Sequence, residues 1–296
     1  MQNSNSDDYR TGAGVYADLL LDYTFKKAFS PEGQTKACLI ALLNAILEGE
    51  MDSPIRDVRS RDKELSFGSN ENRRTIFDLY CEDTRGRRFI VEVQLAKLEH
   101  ILGRAVFYSA QSVIEQGRHG KDFDYAIEPV ITVVLMDFEA FPEDRRHLRH
   151  GSIRERTGSQ LTDLLHFSFV ELPKFDKKEN ELETELDYAL YALRHIKELR
   201  RMPESYSGSP FELLFHISEV AKLSKEEQRM IDLAQKAKWD DFATHKYAHD
   251  SGYKEGLDEG ALNAKKDIAR AMLKAGDSPQ KIANISGLSE EEIRKL

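Results

Sequence analysis

A β-hairpin with an acid on each strand is the feature that most constrains this chain. Apolar and polar residues alternate with a period of two on either side of a turn between residues 74 and 95, the pattern of half-buried strands. The turn at 84–86 predicts a three-residue loop in which Gly86 takes a left-handed conformation. With that loop, Asp78 lies directly opposite Glu92 on one face of the sheet.

Two carboxylates opposed in this way repel each other, because their Cβ atoms lie roughly 4.5–5.5 Å apart. A divalent cation relieves the repulsion, and Mg²⁺ prefers one or two carboxylates together with water. Gln94 lies two residues beyond Glu92 and so on the same face. Asp on one strand with Glu-x-Gln on the next indicates a metal-dependent phosphodiesterase. Two alternatives stay open: the acids are simply solvated, or a one-residue slip puts them on opposite faces.

The composition indicates a water-soluble protein with a sizeable core. The chain has 296 residues, of which 40% are hydrophobic and 32% charged, and its formal net charge is −9. No apolar run approaches the roughly 20 residues of a membrane span, and the polar start lacks a signal-sequence pattern. Cys38 and Cys81 lie in apolar segments, which suggests buried thiols in a reducing compartment. We therefore expect a cytoplasmic protein that does not contact a membrane.

Apolar spacing predicts an α/β core followed by a helical region. Helices are expected at 19–29, 34–48 and 97–116, and strands at 55–67, 129–138 and 164–172. Beyond residue 179 the strand signal disappears, and helices are expected at 179–201, 211–222 and 225–249, with a hinge or poorly packed helix at 250–262. The predicted divisions are a disordered N-terminus (1–17), the core (18–175), a helical region (176–262) and a small helix-turn-helix-like segment (263–296).

Several polar residues outside the hairpin are candidates for the same site. Asp22 is most simply the N-cap of the first helix. Arg104 and Tyr108 share one face of the helix at 97–116, which follows the Glu-x-Gln strand and could lean them over the acids. The alternative is a surface arginine and a core ring. Leu102 and Val106 are expected on the buried side of that helix.

A basic segment follows the apolar strand at 129–138. Arg145, Arg146 and Arg149 lie in it, on a chain that is acidic overall. A basic patch of this kind suits phosphate contact; a solvated hairpin is the alternative.

The C-terminal residues predict a helix, a glycine-containing turn and a capped helix. Ser278 and Ser289 are in N-cap positions, Gly287 ends the helix between them, and Glu292 completes a capping box. This is the helix-turn-helix pattern. The three glutamates at 290–292 would begin the recognition helix, which is unfavourable for entering a DNA groove. The alternative is a helical hairpin used for self-association into a homo-oligomer.

Six segments together resemble a known family. They are DYTFKKAF, CLIALLNAIL, TIFDLYCEDTRGRRFIVEVQ, the helix with Arg104 and Tyr108, EQGRHGKDFDYAIEPVITVVLMDF and FVELPKF. Over about residues 18–260, this chain resembles the recombination-promoting nuclease and transposase-like family of the PD-(D/E)XK nuclease superfamily. The last thirty residues resemble a segment that is commonly appended to it.

The resemblance implies a restriction-endonuclease-like mixed sheet flanked by helices. It also implies a DNA endonuclease in which Asp78 and Glu92 bind Mg²⁺, or another divalent cation such as Mn²⁺, and Gln94 is catalytic. Asp22 would complete the site. Gln94 stands where the superfamily more often has Lys, which carries a positive charge that Gln lacks. The alternative is a catalytically weak DNA- or protein-binding factor that keeps the nuclease fold.

Overall fold

The computed structural model describes residues 14–62, 64–66, 74–97, 100–117 and 124–296. The chain forms two compact units, Met1–Ala237 and Lys238–Leu296. Among the described residues, the α-helices are α1 (Asp22–Ala28), α2 (Lys36–Ile46), α3 (Ile101–Gln116), α4 (Glu185–His195), α5 (Glu212–Ser218), α6 (Lys225–Lys274), α7 (Pro279–Ser286) and α8 (Glu290–Ile293). The strands are β1 (Val58–Ser60), β2 (Glu64–Ser66), β3 (Arg74–Ile76), β4 (Leu79–Asp83), β5 (Arg88–Gln94), β6 (Val130–Met136), β7 (Leu148–Ser152) and β8 (Leu165–Glu171).

Six of the strands form one mixed sheet in the order β1-β4-β5-β6-β8-β7. The pairs β5–β6 and β6–β8 are parallel, and the other pairs are antiparallel. Helix α3 lies in the connection from β5 to β6, as a parallel pair requires a long crossover. All seven residues of β6 are buried, as the apolar run at 129–138 requires of a strand that is covered on both faces. The predicted α/β class with a mixed sheet and flanking helices is therefore correct.

The two faces of the sheet are covered differently. The larger core lies on the face of Leu79 and Val91, and contains buried residues of α1, α2, α4 and α5. The other face, which carries Tyr80 and Ile90, lies under α3. Side chains alternate between faces along a strand. Glu92 therefore lies on the α3 side, two residues beyond Ile90.

The predicted strand across residues 74–83 is divided in two. Strand β3 pairs with β2 in a separate two-stranded sheet, whereas β4 joins the main sheet between β1 and β5. Phe77 and Asp78 lie between them, and the fully buried Phe77 ring packs against Tyr80 and Tyr108 at centroid distances of 5.1 and 5.5 Å. The single alternating run thus forms two strands, with Phe77 buried at the division between them. The strand predicted at 55–67 is divided in the same way, into β1 and β2.

Two local predictions were wrong. Asp22 is the first residue of α1, and Leu21 occupies the N-cap without a side-chain hydrogen bond. Leu102 and Val106 of α3 are 47% and 56% exposed, because the helix contacts the sheet only through a narrow stripe that includes Ala105 and Ser109. Disorder was predicted for residues 1–17, of which residues 1–13 lie outside the described residues. Tyr16, in the remainder of that segment, is buried.

The C-terminal unit contains the capped helices that its sequence predicts. The Ser278 hydroxyl caps α7, Gly287 ends it at φ 72°, and Ser289 with Glu292 forms the capping box of α8. Helix α6 is continuous through residues 250–262, so the predicted hinge is absent from that described segment. The alternative, a poorly packed helix, is favoured, since a Cβ at Gly252, Gly256 or Gly260 would meet nothing within 4 Å. Throughout the described ranges, no helix is long and apolar enough to cross a bilayer.

A buried polar network joins α3 to the sheet at the end away from Glu92. The Glu115 carboxylate accepts hydrogen bonds from Tyr80 (2.6 Å), Arg88 (2.6 Å) and Arg61 (2.7 Å). Arg61 also pairs with Glu82. Only 16% of the Glu115 side chain is exposed. The two guanidiniums and the phenol share this carboxylate, and removing it leaves each of them with one partner fewer, which is costly for buried polar groups.

We predict that Glu115→Ala lowers the free energy of unfolding by about 3 kcal/mol, because two largely buried guanidiniums lose a charged partner. Urea denaturation measures this change. The control is Asp57→Ala, which removes an exposed carboxylate 2.9 Å from Lys36 and should leave the free energy of unfolding almost unchanged, since solvent screens exposed ion pairs. If the two substitutions lower the free energy of unfolding equally, the Glu115 network does not stabilise the fold as expected.

Candidate active site

The hairpin of β4 and β5 has the register that its sequence predicts. Leu79 pairs with Val91, and continuing this register places Asp78 opposite Glu92. Gly86 is left-handed at φ 83°, as the three-residue loop requires. The Asp83 carboxylate, at the base of the loop, accepts hydrogen bonds from its main chain and from the guanidinium of Arg87. These contacts hold the loop and so fix which residues face each other.

Asp78 and Glu92 are joined through reciprocal main-chain contacts. The Val93 amide donates to Asp78 Oδ2 over 2.8 Å, and the Asp78 amide donates to Glu92 Oε1 over 3.2 Å. Glu92 is 5% exposed, and 24% of the Asp78 side chain is exposed. The two carboxyl groups are therefore held at the point where β4 begins and β5 nears its end. The alternative of two freely solvated acids does not match this burial.

Burial and mutual repulsion disfavour the charged form of both acids. Burial is the main cause that raises the pKa of Glu92 to about 8, and the charge of Asp78 adds to it. The pKa of Asp78 is also raised, first by burial and further by the nearby Asp22 carboxyl, against the opposing effects of the Val93 amide and Lys26. The site thus holds more negative charge than its surroundings offset, and additional positive charge would stabilise it.

Arg104 and Tyr108 lie beside the acid pair, one turn apart on α3. The Arg104 guanidinium donates to the Tyr108 hydroxyl over 2.6 Å and lies 5.3 Å from its ring centre. The charge of Arg104 lowers the pKa of Glu92, while burial and then Glu92 raise the pKa of Tyr108. The structure therefore brings both residues close enough to Glu92 to interact with it.

Helix α1 brings Asp22 and Lys26 to the same place. Lys26 Nζ lies 2.5 Å from Asp22 Oδ1 and 4.0 Å from Asp78 Oδ1. The sequence analysis proposed Asp22 as a site residue but missed Lys26. The only local signal was the i, i+4 spacing of the two residues, which any ordinary helix-surface ion pair also shows.

Gln94 is the last residue of β5, two residues beyond Glu92. Its main-chain carbonyl accepts from the Asp137 amide over 2.9 Å, which ties it to the end of β6. The side chain is partly exposed. It carries no charge, so it does not offset the negative charge of Asp78 and Glu92.

The donor set suits a hard cation such as Mg²⁺ or Mn²⁺, since it consists of carboxylate oxygens and leaves room for water in an octahedral shell. Asp78 and Glu92 are the residues that fit. Within the residues that the structure describes, no group of three or more His, Cys, Asp and Glu side chains is arranged to hold a metal ion. The candidate is therefore a two-carboxylate site, and Asp22 remains a neighbour of it.

The predicted basic patch lies beyond the end of β6 and is largely paired. Asp144 Oδ2 lies 2.6 Å from Arg146 and 3.0 Å from Arg149. These arginines hold the pKa of Asp144 well below its usual range, Arg146 chiefly so. The Arg149 guanidinium also lies 4.4 Å from the Phe141 ring centre. Arg145 is exposed. DNA contact by these three residues stays a prediction.

Comparison with protein families gives two matches. The family model described as PD-(D/E)XK nuclease family transposase matches residues 19–248, more than three quarters of the chain. The chain belongs to this family. A second model, the C-terminal HTH domain of the Rpn/YhgA-like nuclease family, matches residues 262–296 of this nuclease-family chain. Searches of curated proteins and of solved structures each returned no match.

Membership agrees with the resemblance drawn from the sequence. A nuclease domain followed by a helix-turn-helix domain indicates a DNA-binding protein of the nuclease class. PD-(D/E)XK nucleases generally use divalent metal ions. The family match does not choose between Mg²⁺ and Mn²⁺, and it assigns no role to individual residues.

The raised pKa of Glu92 predicts a dependence of stability on pH. Below about pH 4.5, the usual pKa of Glu, the residue is protonated in both the folded and unfolded chain. As the pH rises toward 8, the unfolded chain releases this proton while the folded chain retains it, so the folded state loses stability.

In the presence of chelator, Glu92→Gln should therefore raise the free energy of unfolding by about 1–3 kcal/mol at pH 8, since one pKa unit corresponds to about 1.4 kcal/mol. The gain should be much smaller at pH 5. Thermal denaturation at the two pH values measures it, with the exposed Glu50→Gln as the control. A gain that does not change with pH would contradict the burial of an uncompensated acid.

Proposed function

We propose that the protein is a metal-dependent DNA endonuclease that uses Asp78 and Glu92 at its active site. The observation that carries the proposal is the opposed acid pair, in which Glu92 is 5% exposed with a pKa raised to about 8. Uncompensated acids in contact destabilise a fold, and functional sites are where such a cost is commonly retained. A divalent cation bound by the two acids, with a phosphodiester as substrate, accounts for the retention of this destabilising pair.

The reaction is hydrolysis of one phosphodiester bond. A water oxygen bonds to phosphorus as the opposite P–O bond breaks, so that one strand end keeps the phosphate and the other becomes a hydroxyl. Asp78 and Glu92 would hold Mg²⁺ or Mn²⁺, which supplies positive charge to the phosphate and lowers the pKa of a water molecule. We assign to the Gln94 amide the role of orienting the attacking water.

Cationic side chains around the acids would hold the DNA. Arg104 is next to Glu92, and its bond to Tyr108 fixes its direction. Arg145 and Arg146 follow β6, whose last residue pairs with Gln94. Arg149 lies in β7 and pairs with Phe169 of β8, toward the same ends of β6 and β8. We assign flanking DNA phosphates as the ligands of these arginines. The affinity for DNA should then fall as the salt concentration rises.

A second candidate function is a catalytically weak DNA- or protein-binding factor. The observation that favours it is Gln94, whose neutral amide supplies no cation at the position beside Glu92. The helix-turn-helix domain at 262–296 is compatible with either function. Self-association through the C-terminal helices remains a prediction in both cases.

We predict that Asp78→Ala and Glu92→Ala each reduce metal-dependent nicking of supercoiled plasmid by at least roughly 10²–10³-fold, the usual cost of removing one electrostatic group from an active site. The assay compares Mg²⁺, Mn²⁺ and chelator. Glu50→Ala, which removes an exposed acid, should leave nicking unchanged. If wild type and Asp78→Ala cleave equally poorly yet bind DNA equally, the binding-factor function is the correct one.

Gln94→Lys tests the role of the amide. If Gln94 only positions water, a lysine adds positive charge near the acids and nicking should persist or increase. The measurement is the initial rate of plasmid nicking at saturating Mg²⁺. Complete loss, in a variant whose thermal unfolding matches wild type, would show that the amide makes a specific contact that a point charge does not replace.

A further inference from the structure

Lys26 is a cation beside the proposed reaction site that neither the sequence motif nor the family match assigns. Its Nζ lies 4.0 Å from Asp78 Oδ1 and 2.5 Å from Asp22 Oδ1. The side chain is 31% exposed, so it faces the acids while remaining open to solvent.

Packing of α1 fixes the direction of this lysine. Phe25 and Ala28 are 1% and 0% exposed, and the Phe25 ring packs in a tilted arrangement 5.0 Å from the buried ring of Phe29. Residues on neighbouring positions of a helix point about 100° apart. Lys27 accordingly turns away from the acids and pairs with Glu227 at 2.6 Å. The chain therefore provides two adjacent lysines on one helix, of which only Lys26 contacts an acid of the site.

The other groups beside Asp78 and Glu92 leave a place for an ammonium. Gln94 is neutral, and Arg104 donates to the Tyr108 hydroxyl over 2.6 Å while lying against its ring. A phosphodiester under attack develops negative charge on its oxygens and is stabilised by fixed positive charge. Lysine carries a compact charge and three donors on a flexible stem, which suits a phosphate oxygen.

We propose that Lys26 supplies the ammonium that contacts the scissile phosphate, the charge that Gln94 does not provide. This inference rests on the proposed nuclease function. The competing role is structural: Lys26 only neutralises Asp22 and Asp78 when no divalent cation is present. The two roles differ in what happens at saturating metal, where a neutralising lysine has no effect on rate and a phosphate-contacting lysine does.

The test uses Lys26→Met and Lys26→Arg, with Lys27→Met as a matched control that removes the same charge one residue away. Single-turnover nicking of a DNA duplex is measured at saturating protein and Mg²⁺, and DNA affinity is measured separately with Ca²⁺. We expect Lys26→Met to slow cleavage by about 10²-fold with a change in DNA affinity no larger than that of Lys27→Met. Lys26→Arg should retain a substantial part of the rate.

The double substitution Lys26→Met with Gln94→Lys provides a second, positive test. If Lys26→Met cleaves slowly because it lacks a cation near the phosphate, adding Gln94→Lys should raise its cleavage rate by at least about tenfold. Thermal unfolding of each variant separates loss of rate from loss of fold, and Lys26→Gln replaces Lys26→Met if the latter is unstable.

Two outcomes distinguish this inference from the function on which it rests. In the first, wild type nicks DNA, Asp78→Ala abolishes the nicking, and Lys26→Met cleaves as fast as Lys27→Met. This result overturns the role of Lys26 alone. Wild type that shows no metal-dependent nicking overturns both. Slow cleavage by Lys26→Met, recovered by the second lysine, supports both.

Discussion

Repulsion between two opposed carboxylates is the constraint on which the rest of this structure depends. Asp78 and Glu92 meet only because β4 and β5 keep one register, and a shift of one residue would place them on opposite faces. The loop that sets this register is held by Asp83, Arg87 and the left-handed Gly86. A turn at one end of the hairpin therefore determines the chemistry available at the other.

Stabilising contacts elsewhere in the fold offset the unfavourable free energy of the acid pair. On the same face of the sheet, Glu115 pairs with Arg61 and Arg88 and fastens α3 over Tyr80. The opposite face contributes Leu79 and Val91 to the large core. Charge is thus compensated at one end of α3 and left uncompensated at the other, where Glu92 has its raised pKa. This separation lets the fold keep a destabilising pair without losing the sheet that positions it.

Local patterns predicted those parts of the site that local geometry determines. The hairpin register follows from loop length, and the C-terminal caps follow from Ser278 and Ser289, so both were correct. The break at Phe77 was not predictable, because the strand pattern does not show that Phe77 packs against Tyr108 of a later helix. The exposure of Leu102 is similar: helical periodicity identifies an apolar stripe but not how much of it a sheet covers.

Lys26 shows most directly why a linear motif is an incomplete description of this site. Glu92 and Gln94 are fixed by one strand, and a search along that strand finds a neutral amide where positive charge would be expected. Helix α1 ends sixty residues before this strand begins, and only the fold of the sheet and its core places Lys26 Nζ 4.0 Å from Asp78. Charge in an active site is a property of positions in space. An amide at position 94 therefore leaves the electrostatic requirement to be met from another element, and we propose that Lys26 of α1 meets it at the scissile phosphate.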